Sequence, residues 1–318
     1  MQTSISQKLW DLWCVLSIIG IWPRFIEPSL IKTTLLKISL SNLPDELKNL
    51  KILQFSDLHF HPNLSKSFTT KLCRKVSDLK PDLIVFTGDI LCYSVLKDKE
   101  QLKRLLNSFY APYGCYAVLG NHDYQESVSI NPQGDYDVVK RPTSSIAKGF
   151  KRLFSPFEIT KKVTERARSV ELHTELIELL EQTPFQLLHN QTKIIKIKNT
   201  FLNICGVGEH ILDRCHPEIA YQKYETHFPG IILAHNPDCL PKLSNYPGDV
   251  ILCGHTHGGQ VNLPWMWKSF TLLEDFRFKR GLHRVKDKWV YVNRGVGGTI
   301  PFRWFSLPEL LFLILDKR

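Results

Sequence analysis

Five short apolar runs in this chain of 318 residues each stop at a cluster of polar residues suited to metal binding or acid–base work. KILQF leads into Ser56-Asp57-Leu58-His59, and DLIVFT leads into Gly88-Asp89. CYAVL leads into Gly120-Asn121-His122-Asp123, GIILA into His235-Asn236, and VILC into Gly254-His255-Thr256-His257. Apolar runs this short, bounded by glycine and polar residues, read as buried strands. Between the first two, Phe68, Leu72, Val76 and Leu79 recur at helical spacing until Pro81 stops them, and residues 98–110 carry a second helical pattern. Strands alternating with helices predict an α/β layered fold. In such folds, functional residues gather outside the carboxyl ends of the strands.

The remaining pattern adds strands and one more helix. Thr33 to Leu40 reads as a first strand, and Val170 to Gln182 as a helix with Leu172, Leu176, Leu179 and Leu180 on its stripe. Strands follow near 192–198, 201–207, 230–234, 250–253 and 288–292, and Leu310 to Leu315 closes the pattern. A strand-rich second half points to a second sheet packed on the first.

The polar clusters together offer carboxylate, amide and imidazole donors, the set that hard and borderline divalent cations take. Each cluster alone has an ordinary reading, as a solvent-facing turn or a buried histidine. Gly-Asn-His-Asp and Gly-His-Thr-His-Gly-Gly-Gln are harder to explain that way. In the latter, alternation puts His255 and His257 on one side of the chain. Five clusters at five strand ends supply too many donors for one ion and about enough for two.

These clusters resemble the pattern of the calcineurin-like metallophosphoesterases, from about Thr33 onward. The resemblance implies a four-layer sandwich of two mixed β-sheets flanked by helices. It also implies two divalent metal ions, manganese first and iron or zinc as alternatives. One would be held by Asp57, His59, Asp89 and His257, the other by Asp89, Asn121, His235 and His255. His122 resembles the family's catalytic histidine, with Asp123 orienting it and favouring its protonated form. Within the family, Asn42-Leu43-Pro44 ahead of KILQFSDLHF, and Pro308-Glu309 before the last strand, resemble a membrane-associated branch acting on lipid-linked substrates. That resemblance implies a nucleotide-linked lipid, UDP-2,3-diacylglucosamine, split to UMP and a lipid phosphate in lipid A biosynthesis. A general or cyclic-nucleotide phosphodiesterase, a protein phosphatase, or a non-catalytic scaffold are the alternatives.

Charge and the N-terminal segment bear on location. A formal net charge of +10 suits an acidic partner or membrane. Residues 1–31 form an apolar, interfacial segment ahead of a domain over 32–318. The uncharged run Leu12 to Pro23, bounded by Asp11 and Arg24, is shorter than the roughly 20 residues a span needs. Its Trp13 and Trp22 suit headgroup depth and peripheral association with the cytoplasmic face of a membrane. Residues 124–170 break the strand–helix rhythm as a basic insertion or cap, with nine Lys or Arg against two Glu from Val138 to Arg168. In it Phe150 and Phe154 interleave with Lys151 and Arg152, candidates for substrate contact together with Arg294 beside the Gly295–Gly298 turn. Eight cysteines without a CxxC pair favour a reducing compartment. No recognition motif accompanies the basic residues, so nucleic acid is not an expected partner, and no protein partner is expected.

Overall fold

The computed structural model describes residues 5–62, 64–140, 158–263, 267–300 and 302–318. Two six-stranded sheets stack face to face. The first is built from β1 (Lys32–Leu40), β2 (Lys51–Phe55), β3 (Leu83–Thr87), β4 (Cys115–Val118), β7 (Phe185–Leu187) and β14 (Glu309–Lys317), ordered β1-β14-β2-β3-β4-β7. The second is ordered β12-β13-β11-β10-β9-β8, from β8 (Gln191–Ile197), β9 (Thr200–Gly206), β10 (Gly230–Leu233), β11 (Val250–Cys253), β12 (Gly281–Val285) and β13 (Lys288–Val292). Each sheet is mainly parallel, with antiparallel pairs at β14/β2 in the first and at β12/β13 and β8/β9 in the second.

Period-two alternation sorts the side chains into layers. Ile52, Leu83, Val85, Tyr116 and Val118 face Ile204, Ile231, Leu233, Val250, Leu252 and Tyr291 in the core between the sheets. The alternate residues Leu53, Phe55, Ile84, Phe86 and Ala117 turn outward. They meet α2 (Lys66–Leu79), α3 (Lys99–Asn107) and the helix Thr174–Glu181. On the far side, Cys205, Ile232, Ile251, Cys253 and Val290 pack on the short helical turns carrying Ala220, Leu240 and Leu243. This is the expected four-layer sandwich. All eight cysteines are free thiols.

Local chemistry explains the helix ends. Ser65 caps α2 by accepting from the Phe68 amide, and left-handed Lys80 with Pro81 stops it. Asp98 caps α3 through the Gln101 amide at 2.9 Å. The helix expected over 170–182 begins only at Thr174, because Leu172 is drawn into a bridge with Tyr124 and His173 serves as the cap. Three elements are additional to those expected: β7, β12 and a hairpin of β5 (Val128–Ile130) with β6 (Tyr136–Val138) inside 124–170. None of these strands is a continuous apolar run of the kind that marks β3, β10 and β11, since each mixes polar residues into its three to five positions.

The N-terminal segment differs from its expected form. Helical structure runs from Ile5 to Ser29, 25 residues, long and apolar enough by length and composition to cross a membrane. Asp11 and Arg24 do not end it, so the uncharged run understated the helix. Pro23, which has no N–H to give, lies in a wide-turned π-helical part from Ser17 to Ile26. Within residues 5–29, only Pro23 and Glu27 are buried.

Candidate metal centre

All seven expected ligands come together at the carboxyl ends of β2, β3, β4, β10 and β11. Asp89 lies in the middle. Its Oδ2 is 3.4 Å from His59 Nε2 on one side and 3.4 Å from His235 Nε2 on the other. On the His59 side, the His59 and His257 Nε2 atoms are 3.1 Å apart, and Asp57 Oδ1 is 3.6 Å from His257 Nε2. On the His235 side, Asn121 Oδ1 is 3.2 Å from His235 Nε2 and 3.0 Å from His255 Nδ1.

These distances fit cations. Donors about 2.0–2.2 Å from a common ion lie about 2.9–3.6 Å from one another. With both Nε2 atoms bare, as ligation requires, imidazoles 3.1 Å apart suit a shared cation. The donor set of carboxylate, amide oxygen and imidazole suits divalent transition metals.

The backbone is bent to make this possible. Asp57, His59, Asp89, His255 and His257 all lie in the left-handed region, at φ 53°, 46°, 57°, 70° and 49°. Side chains there cost on the order of 1 kcal/mol each, a strain that concentrates at functional sites. The turns are locked from behind. Asp57 accepts the His255 amide at 3.1 Å, His59 Nδ1 meets the Leu91 carbonyl at 3.3 Å, and His235 Nδ1 meets the Thr87 carbonyl at 2.7 Å. Asn121 Nδ2 donates to Val128 O at 2.7 Å, aiming its oxygen inward. The Gly295–Gly298 segment is the tight turn the sequence suggested. The Val296 and Gly297 amides bond to Ser56 O and Asp57 O, and a Cβ on Gly297 would lie 2.0 Å from Leu58 O.

Burial sets the charge states. It pushes the Asp57 carboxyl up to about 7, against the opposing pull of His235. It drives His59 and His255 down to about 3. It takes His257 well below its ordinary value, helped by neighbouring His59 and Arg303. Burial would raise Asp89, but the imidazoles of His235, His122 and His59 outweigh it and hold Asp89 low. Burial would likewise lower His235, and Asp89 reverses that. Most of the histidines thus present bare nitrogen lone pairs at neutral pH, the state a ligand needs.

His122 stands at the rim, with a ring nitrogen within 4.8 Å of donor atoms of His59 and Asp89. Its Nδ1 accepts from the Tyr93 amide at 3.1 Å and lies 3.1 Å from Ser127 Oγ. The ring proton of the neutral form therefore sits on Nε2. Asp123, expected to orient His122, bonds to the backbone. Its carboxylate accepts the backbone amides of Ile90 at 3.0 Å, Leu91 at 2.8 Å and Gly120 at 2.9 Å. Three buried N–H groups compete for those oxygens, and their geometry turns the carboxylate toward the backbone. Asp123 staples the Asp89 and Asn121 loops together.

Arg294 lies beside the Gly295–Gly298 turn. Its guanidinium pairs with Glu309 at 2.8 Å, and Glu309 is further bound by Tyr291 and Thr34. Phe150, Lys151, Arg152 and Phe154 lie outside the described residues. Sequence reasoning missed Arg303, which is buried, with Nη2 3.4 Å from His257 Nδ1. An isolated arginine in PFRWF gives no signal, because its partners are backbone carbonyls.

A strained, buried pocket of this kind, at the edge of two stacked sheets, belongs to the metal-dependent hydrolases. Residues 50–259 match the family model of the calcineurin-like phosphoesterases. The chain belongs to that family and is a metal-dependent hydrolase of a phosphate ester or diphosphate. It is 37% identical over 306 residues to the UDP-2,3-diacylglucosamine pyrophosphatase LpxG of Chlamydia muridarum, an alignment covering 92% of each chain. It is 36% identical to the protein of the same name from Chlamydia trachomatis serovar D, again over 92% of each chain. It is 27% identical to phosphodiesterase YaeI of Escherichia coli, over 92% of this chain and 91% of that one.

Proposed function

We propose that this protein hydrolyses UDP-2,3-diacylglucosamine at the α-phosphorus of its UDP group, giving UMP and 2,3-diacylglucosamine 1-phosphate in lipid A biosynthesis. The observation carrying this reading is the 37% identity to a pyrophosphatase of that name over 92% of both chains. Water adds to the α-phosphorus and the bond to the bridging oxygen breaks, so the lipid keeps the β-phosphate.

In this reading Asp57, His59, Asp89 and His257 hold one divalent cation, and Asp89, Asn121, His235 and His255 hold a second. Manganese is the metal we favour. When bound, such a pair polarises phosphoryl oxygens and acidifies water. The chain's own residues supply the rest. His122, with its proton on Nε2, donates to the phosphoryl or leaving oxygen as charge grows there. The carbonyls of Leu91 and Thr87 fix the rings of His59 and His235 so that their Nε2 atoms face inward. Asp123 keeps the Asp89 and Asn121 loops in register.

The helical run Ile5–Ser29 supports a place at a membrane, where the acyl chains of the substrate reside. The basic residues of 124–170 suit its phosphates or anionic headgroups. Incubation with UDP-2,3-diacylglucosamine and Mn²⁺ tests the assignment, with release of UMP the expected result. Release of UDP, or turnover of small aryl phosphodiesters alone, refutes it.

A further inference from the structure

The membrane-suited helix ends against the metal centre. We propose that Glu27 and Ser306 are positioning residues for His257, so that the end of the N-terminal helical run forms part of the metal site's wall. This rests on the reading of His257 as a ligand.

Glu27 is 2% exposed although it lies at the end of an exposed helix. Its Oε2 accepts from Trp22 Nε1 at 3.0 Å and from the Phe305 amide at 3.1 Å, and its Oε1 accepts the Ser306 amide. One carboxylate thus caps the 305–306 turn and ties it to the helix. Ser306 passes this on, its Oγ donating to the His257 carbonyl at 2.6 Å. His257 is among the strained residues, and a hydrogen bond on its carbonyl fixes the peptide that sets its side-chain direction.

A second set of bonds runs parallel to the first. The Pro23 carbonyl accepts the Arg303 amide at 2.8 Å. The Arg303 guanidinium donates to the carbonyls of Arg294, Gly295, Gly297 and Ser306, which fixes the turn behind Asp57 and His257. Trp304 exchanges backbone bonds with Gln260 and Asn262, just beyond His257. A tether to a membrane needs none of this. A buried carboxylate spent on two backbone amides of the 305–306 turn is explained by a need to hold that turn, and the turn's hydroxyl holds His257.

The test uses the full chain in detergent, made metal-free and titrated with Mn²⁺. Glu27→Ala and Ser306→Ala should each weaken one Mn²⁺ by about ten- to a hundredfold, the range for residues that orient ligands, and leave the other near its starting affinity. The spin-coupled signal of a Mn²⁺ pair should give way to that of a single ion at intermediate metal. Ser306→Ala removes one hydroxyl, so the test survives a failure of Glu27→Ala to fold. Ile19→Lys, on the exposed part of the helix, should reduce binding to phosphatidylglycerol vesicles and leave Mn²⁺ affinity unchanged. Two ions bound at starting affinity in Ser306→Ala, or equal loss in Ile19→Lys, overturns the proposal. His257→Ala separates the premises: if it keeps both ions, the ligand reading has failed rather than the positioning.

Discussion

Replacing Asp123 with asparagine distinguishes a structural staple from a partner of His122. Its two carboxylate oxygens serve three buried amides, those of Ile90, Leu91 and Gly120, all within 3.0 Å. Asparagine keeps one acceptor oxygen and turns an NH₂ toward at least one of these donors. A buried donor left unpaired costs about 1–3 kcal/mol. One or two such losses give a destabilisation of about 2–4 kcal/mol. For a domain this size that corresponds to a fall of about 4–10 °C in melting temperature. Because the staple joins the loops bearing Asp89 and Asn121, Mn²⁺ affinity should fall as well. Thermal unfolding with and without Mn²⁺, together with the pH profile of aryl phosphodiester hydrolysis at saturating metal, measures both effects. The reasoning is refuted if Asp123→Asn melts within about 1 °C of the parent and yet loses kcat with a shifted pH profile. That outcome belongs to a carboxylate acting through His122.

Two further predictions concern the metals. Asp89→Ala removes the carboxylate between the two clusters and should cost both ions and at least about a hundredfold in hydrolysis, whereas Asn121→Ala should weaken mainly one; metal analysis of the purified variants reads this directly. Metal affinity should also depend on pH. In the Asp57 cluster, with Asp57 at about 7, His59 at about 3 and His257 below its ordinary value, Asp57 is the ligand whose proton a cation must displace between pH 5 and 7, while in the other cluster His235, raised by Asp89, holds a proton as well. Affinity at the Asp57 cluster should fall up to about tenfold per unit below pH 7 and level off above it. In the metal-free fold, the stability from this raised carboxyl is fully present below its ordinary value of 3.8 and lost as pH rises through 7. Calorimetric titrations at several pH values should find about one proton released near pH 6 as the Asp57 cluster fills and a second, from His235, as the other fills, and a flat affinity speaks against it.

The sequence made the site's donors legible because each sits one to four residues past an apolar strand, and strands in parallel sheets deliver their ends to one edge. It could not show hydrogen bonds to backbone. Asp123 beside His122 in sequence suggests a pair, yet the amides that claim its carboxylate come largely from a loop more than thirty residues away. Arg303 and Glu27 escaped for the same reason, since their partners are peptide groups that every residue carries. The pairing of Arg294 with Glu309, fifteen residues further on, could not be read from the glycine turn beside it. The helix over 5–29 was underestimated by stopping at single charges, which a long helix tolerates.

The position of β14 has a consequence for how this molecule is made. It lies between β1 and β2, so β1, the earliest of the described strands, pairs among the described residues with 309–317 alone. On the ribosome, the apolar helix and β1 emerge long before that neighbour exists. The nascent domain must hold an open seam beside its leading strand until residues 309–317 have been made, and Glu309 in the arriving strand then engages Arg294. Ribosome-stalled chains lacking this strand should therefore remain open to proteases that the finished protein resists.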